Sequence, residues 1–160
     1  SGKEFKYKVQ DRHDKGEAAN RLHKLNFKVN QMINYLHEKE PDHQGVKRLK
    51  NRYRPDILSE LHEGSSNTSY SINKGEKIVF CIRAKDGSNK LEPLNTMLFV
   101  AIHELGHLMT KSIGHNTEFW DNMRFLLKEA ISANLYTKED YFNNPVDYCG
   151  TKITDTPLNN

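Results

Sequence analysis

The chain has 160 residues, 36% hydrophobic and 28% charged, with a mean hydropathy of −0.83. That length suits one ordinary domain burying roughly 70% of its unfolded surface, and an aromatic content of 9% argues against wholesale disorder. A net charge of +3 with a pI near 8.8 permits a nucleic-acid partner without demanding one, and the longest apolar run, Met97 to Ile102, falls far short of the about 20 residues of a membrane span.

No signal-type segment opens the chain. Ser1-Gly2 stands where an initiator Met would, as at a trimmed terminus, so an upstream segment or anchor is left open. Two cysteines, Cys81 and Cys149, are too few for a disulfide framework and point to a reducing compartment, hence an intracellular protein of the cytoplasm or nucleus. The lone sequon at Asn67 does not outweigh that.

In chain order, Ala18, Leu22, Leu25, Val29, Met32 and Leu36 recur at spacings of four and three, which predicts an amphipathic helix over 15–38. The stretch 40–45 breaks it. Val46, Leu49 and Tyr53 mark a second short helix that stops at Arg54-Pro55, because a residue before proline avoids the helical region. The segment 57–61 is apolar on one side, and 64–67 reads as a surface loop. Residues 70–72 and 77–83 predict two strands joined by a hairpin turn at Asn73-Lys74-Gly75-Glu76. A long helix is predicted from a cap at Asn95 or Thr96 to about 112–114, apolar nearly all round. A further helix opens at Asn116 or Thr117, with Phe119, Met123, Leu126, Leu127 and Ala130 on its buried side. The tail, 136–160, shows little periodicity. Together these predict an α+β fold, mostly helical with a small sheet, in a single domain spanning 1–160. Its parts are a helical segment (15–62), a core bearing the chemistry (68–135) and an irregular tail.

Within the long helix stands His103-Glu104-Leu105-Gly106-His107, followed by Gly114-His115. Residues four apart share a helical face, so the imidazoles of His103 and His107 can reach one zinc ion at roughly 2.0–2.1 Å. Glu104, about 100 degrees around the helix, is placed instead beside the open coordination position, where a carboxylate can take a proton from water. A catalytic zinc takes three protein ligands, and His115 is the nearest further donor, with Gly114 supplying the backbone freedom to fold back. The bland alternative is a pair of core histidines satisfied by hydrogen bonds; an apolar helix makes unpaired histidines costly and favours the metal.

The stretch 103–123, HELGHLMTKSIGHNTEFWDNM, resembles the active-site segment of the WLM-domain and SprT/Spartan zinc metallopeptidases, in which HExxH is followed by a third His and a Phe-Trp pair, here Phe119-Trp120. The resemblance implies a minimal zincin-like protease core in which His103, His107 and His115 hold Zn2+ and Glu104 is the general base. It also implies substrates crosslinked to DNA, or associated with it. For such contact the sequence offers Lys47, Arg48, Lys50, Arg52 and Arg54, with Tyr53 interleaved, although such a run is more often a solvated helix face.

The expected substrate-binding strand is Ile78, Val79, Phe80, Cys81, Ile82 and Arg83, which would pair with an extended peptide. Glu118, Glu129 and Glu139 are alternative third ligands. Tyr136, Tyr141 and Tyr148 are candidates for oxyanion stabilisation but read more simply as packing residues, and Asp121 and Asp147 are candidates to orient a ligating imidazole. Cys81 reads as a core strand residue, and Cys149 as a small buried thiol more readily than as a zinc ligand or redox switch. The expected activity is therefore a zinc-dependent endopeptidase. Its rival is an inactive binding module that keeps zinc as a staple, against which the intact Glu104 counts.

Overall fold

The computed structural model describes residues 6–54, 56–65 and 67–159. Ser1-Gly2, the helix-stopping Pro55, Ser66 of the predicted surface loop and Asn160 of the tail lie outside the described residues.

Helix α1 (Lys15–Lys39) buries its whole predicted stripe, Ala18 through Leu36, under the rest of the molecule. Helix α2 (Gln44–Arg52) starts two residues before the first apolar position, because the His43 ring accepts a hydrogen bond from the Val46 N–H at 3.2 Å and caps it. Tyr53 then leaves the helix, and its hydroxyl donates to Asn26 at 2.6 Å, inside the seam between α1 and α2.

Three strands follow: β1 (Leu58–Glu60), β2 (Ser69–Ile72) and β3 (Lys77–Phe80). They lie in the order β1-β3-β2, with Leu58 opposite Ile78 in the parallel pair and Tyr70 opposite Val79 in the antiparallel one. The β2–β3 turn takes left-handed backbone at Asn73, Lys74 and Gly75 in succession. This order corrects the expected substrate strand. Ile78, Val79 and Phe80 belong to β3, which is flanked on both sides and has no free edge; the edge strands are β1 and β2, of which β2 packs against α3. Cys81, Ile82 and Arg83 are also committed: the Cys81 N–H donates to Thr68 and Ile82 is fully buried. Arg83, 4% exposed, forms ion pairs with Glu60 at 2.7 Å and Asp14 at 2.6 Å.

Helix α3 (Leu94–Met109) runs through the centre, packed against α1, α2 and β2 and most extensively against α4 (Thr117–Ser132). Its N-cap is Pro93, not Asn95 or Thr96, since the Asn95 side chain is spent holding both backbone groups of Thr137 at 2.9 and 3.0 Å. The helix also ends earlier than expected, because Thr110 turns to extended backbone. Helix α4 starts as predicted, with the Asn116 side chain accepting from the Phe119 N–H at 3.0 Å.

The tail is more ordered than its sequence suggests. β4 (Val146–Tyr148) and β5 (Thr151–Ile153) form an antiparallel hairpin, and Cys149 in its turn makes a disulfide with Cys81, 68 residues away. The reading of both cysteines as free thiols is corrected, and the reducing, intracellular compartment inferred from it loses that footing. No local signal marks a pairing across such a separation. Tyr148 hydrogen-bonds the Ser69 hydroxyl at 2.9 Å and donates to the Cys81 carbonyl, so the hairpin is fastened to the sheet beside β2. Among the described residues no helix is long and apolar enough to cross a membrane.

Candidate metal centre

Helix periodicity places His103 and His107 one turn apart on α3, with ring centroids 5.1 Å from each other. The chain leaves α3 at Met109 and turns at Gly114, whose φ of +93° is the left-handed backbone that glycine accepts without strain. His115 is thereby brought over the helix. Its Nε2 lies 3.1 Å from Nε2 of His107 and 3.2 Å from that of His103. Beneath the three rings is the buried Phe119, stacked on His107 at 4.3 Å and 5.0 Å from each of the other two. Phe119 approaches so closely that a Cβ on Gly106 would sit 2.9 Å from its ring.

The donor set fits a tetrahedral metal ion. Nitrogens bound at about 2.05 Å in tetrahedral geometry lie roughly 3.3 Å apart, and the observed 3.1 and 3.2 Å match a shared centre. Three imidazoles with no carboxylate also match the donor chemistry of zinc. Burial, then the neighbouring His107 and His115, hold His103 down at about 4, and burial, then His115 and Lys74, hold His107 down at about 4. Both rings are therefore neutral at physiological pH, the form that ligates metal.

Glu104, only 5% exposed, sits on α3 between the two histidines in sequence. Burial pushes its carboxyl up to about 7, against a hydrogen bond from the Ser71 side chain that favours the ionised form. Ser71 belongs to the edge strand β2. A hollow of about 530 Å³ opens between this strand and the histidines, lined by Ser71, Lys74, Glu104, His107 and Ile113 among others.

The end of α3 and the loop beyond it are held by cations. Lys74, from the β2–β3 turn, donates to the carbonyls of His107 at 2.9 Å, Thr110 at 2.6 Å and Ser112 at 2.6 Å. Arg48 donates to Met109 and Arg52 to Leu108. Carbonyls at a helix C-terminus lack intrahelical donors and carry partial negative charge, so three cations there are favourable. Two members of the basic cluster considered for nucleic acid are thus turned inward, and Arg54 hydrogen-bonds Asp56 and Glu76 at the surface. Lys47 and Lys50 are exposed.

The carboxylates considered as third ligands lie elsewhere. Glu118 accepts from the backbone and hydroxyl of Ser112, Glu129 pairs with Lys39 at 2.9 Å, and Glu139 accepts from Asn95 and Tyr141. Tyr136, Tyr141 and Tyr148 are buried packing residues, Asp121 pairs with Arg124 and Asp147 with Lys152. Sequence reasoning missed the roles of Lys74 and Ser71. The turn 73–76 was legible, but the sequence carried no sign that its lysine reaches across to the loop after α3.

A family model described as WLM domain matches residues 4–157. The chain is 29% identical over 156 residues to "Uncharacterized protein R325" of Acanthamoeba polyphaga mimivirus, covering 95% of this chain and 79% of that protein. It is 31% identical over 102 residues to "Uncharacterized protein 136R" of Invertebrate iridescent virus 6, covering 63% of this chain and 54% of that one. The fold is similar to the crystal structure of Wss1 from Saccharomyces cerevisiae, with a TM-score of 0.60 at 19% identity over 80% of this chain and 90% of that one. It is also similar to a Wss1 mutant from S. pombe, with a TM-score of 0.51 at 23% identity over 78% of this chain and 94% of that one.

Proposed function

We propose, since the chain belongs to the WLM domain family, that it is a zinc-dependent endopeptidase. The observation that carries this reading is the convergence of His103, His107 and His115, with Glu104 on the same helix. Zinc held by the three imidazoles would supply the positive charge that acidifies a water and polarises a peptide carbonyl. Glu104 is poised near neutrality by its burial, so its carboxylate can take up a proton from water and return it to the leaving amine. Ser71 holds that carboxylate from the edge strand. The free edge of β2 offers backbone donors and acceptors to an extended peptide, setting its register over the histidines. Phe119 and the cation-held loop fix the imidazoles in advance, which spares the reorganisation that weakens loosely built sites.

The finer part of the proposal is a substrate class of DNA-associated or DNA-crosslinked proteins. Its support here is the exposed pair Lys47 and Lys50 on α2 with the surface Arg54, which can neutralise phosphates.

The test combines elemental analysis with proteolysis of a denatured protein. We expect about one zinc per wild-type chain, zinc lost in His115→Ala, and zinc kept but cleavage abolished in Glu104→Gln. Full activity in Glu104→Gln would overturn the mechanism, and absence of zinc after reconstitution would overturn the metal centre.

A further inference from the structure

His103 borders a second hollow, on the side away from β2. This cavity, about 420 Å³, lies between α3, α4 and the C-terminal turn Pro157–Asn159, and its size is within the about 300–1,000 Å³ of ordinary ligand pockets. Its apolar lining is Phe99, Met123, Trp120 and Pro157. Phe99 stands one turn before His103 on α3, so the cavity and the metal centre share a helical face. Trp120, 38% exposed, forms a wall common to both: its ring is 5.6 Å from that of His115 and 6.3 Å from that of His103.

The charged groups of the rim, Asp121, Arg124 and Asp155, are already engaged. Arg124 donates to the Pro157 carbonyl at 3.0 Å and to Asp121 at 3.3 Å. Asp155 accepts from the Thr156 N–H at 2.8 Å and from Asn159 at 3.3 Å. The rim thus carries two carboxylates and one guanidinium, an excess of negative charge that repels an acidic guest, and beside Thr117 the rest of the lining is mainly aromatic rings, a thioether and a proline ring.

Resting on the endopeptidase reading, we propose that this cavity receives one large apolar side chain of the substrate, of the Leu, Met, Phe or Tyr class, from a residue flanking the scissile bond. A peptide whose backbone lies over the histidines has only a few ångströms to cover between His103 and the Trp120 wall. Large apolar side chains are mostly buried in folded proteins. The substrates are therefore polypeptides with unfolded or extended segments that expose such residues. Ile113, 89% exposed at the mouth of the opposite hollow, extends the same apolar character along the cleft.

Trp120 is the only tryptophan of the chain, so its fluorescence reports on this cavity and on the histidines it borders, and the dependence on the central residue of the peptide singles out the cavity. Glu104→Gln protein is titrated with hexapeptides that differ at one central residue: Phe, Leu, Ala, Glu or Lys. Saturable changes of emission at least tenfold tighter for Phe and Leu are expected, with the preference lost in a Thr117→Phe background that narrows the cavity. In parallel, cut sites made by the zinc-loaded wild-type protein in a denatured protein are mapped by mass spectrometry, with a large apolar residue expected at one fixed position beside the cut. Cleavage without side-chain preference and with flat Trp120 emission would overturn the cavity assignment and leave the endopeptidase reading standing. Selective binding without cleavage would do the reverse. A preference for Lys would also overturn the assignment, by showing that Asp121 and Asp155 govern the site.

Discussion

The ammonium of Lys74 donates to the carbonyl oxygen of Ser112 at 2.6 Å, fastening the turn between β2 and β3 to the loop that carries His115. The same ammonium serves the carbonyls of His107 and Thr110, so one side chain joins the edge strand, the end of α3 and the third histidine. Lys74→Met leaves three carbonyls without this donor. Charge-assisted hydrogen bonds contribute about 1.5–3 kcal/mol each before the losses overlap. We expect a stability loss of about 2 kcal/mol by denaturant titration, and zinc affinity at least tenfold weaker by competition with a chromophoric chelator. Unchanged zinc affinity would show that the loop holds itself.

Gly106, the residue before His107 in the histidine motif, is required by Phe119 to be small. A Cβ there would meet the Phe119 ring at 2.9 Å. Gly106→Ala gains about 1 kcal/mol of helix propensity against an overpacking cost of about 1–3 kcal/mol. The expected outcome is a small change in thermal stability with a clear loss of zinc affinity, because Phe119 supports all three imidazoles. The double variant Gly106→Ala with Phe119→Leu should recover part of that affinity, and failure to do so would exclude the steric explanation.

The metal-free protein should lose stability on mild acidification. His103 and His107, held down at about 4 from an ordinary 6.5, bind fewer protons folded than unfolded, so their contribution is lost as pH falls from 6.5 towards 4. Glu104, raised from 4.5 to about 7, keeps a proton in the folded state that the unfolded chain releases, and so contributes the opposite slope between 7 and 4.5. Both rings are only partly buried, which reduces the contribution of each, yet together they outweigh one carboxyl. We expect the melting temperature of chelated protein to fall from pH 6.5 to 4.5, and Glu104→Gln to steepen the fall. A rise over that interval would contradict the assignment.

Reduction of Cys81–Cys149 reopens a loop of 68 residues. The chain-entropy account of such a cross-link gives about 4 kcal/mol. Cys149→Ser is therefore expected to lower the denaturant midpoint markedly and to be insensitive to dithiothreitol, which should lower the midpoint of the wild type. An identical midpoint with and without dithiothreitol in the wild-type protein would refute the bond's contribution.

Much of the fold and of the histidine cluster was legible because local periodicity encodes it. The α1 stripe, the α4 cap at Asn116 and the spacing of His103, His107 and His115 depend on neighbours a few residues apart. The parts that were not legible depend on distant partners. β1 is buried along its whole length and shows no alternation, and β3 became the central strand only because residues 58–60 came to lie beside it. For the same reason the apolar richness of 78–82 marked the middle of a sheet rather than a free edge. The basic residues of α2 looked alike in sequence, yet Arg48 and Arg52 face the end of α3 while Lys47 and Lys50 face water. The disulfide and the hairpin that carries it required the whole fold to be known.

The hairpin also bears on how this protein can be shortened. Tyr148 braces Ser69 on the strand beside the histidines, and the segment just beyond the hairpin supplies Asp155, Thr156 and Pro157 to the apolar cavity. A fragment ending before Val146 would retain every histidine and the glutamate, yet it would lack the buttress of one side of the cleft and a sidewall of the other. Boundaries drawn from the histidine motif alone would thus yield a protein that keeps the three-imidazole donor set and no longer has a shape for anything else to enter.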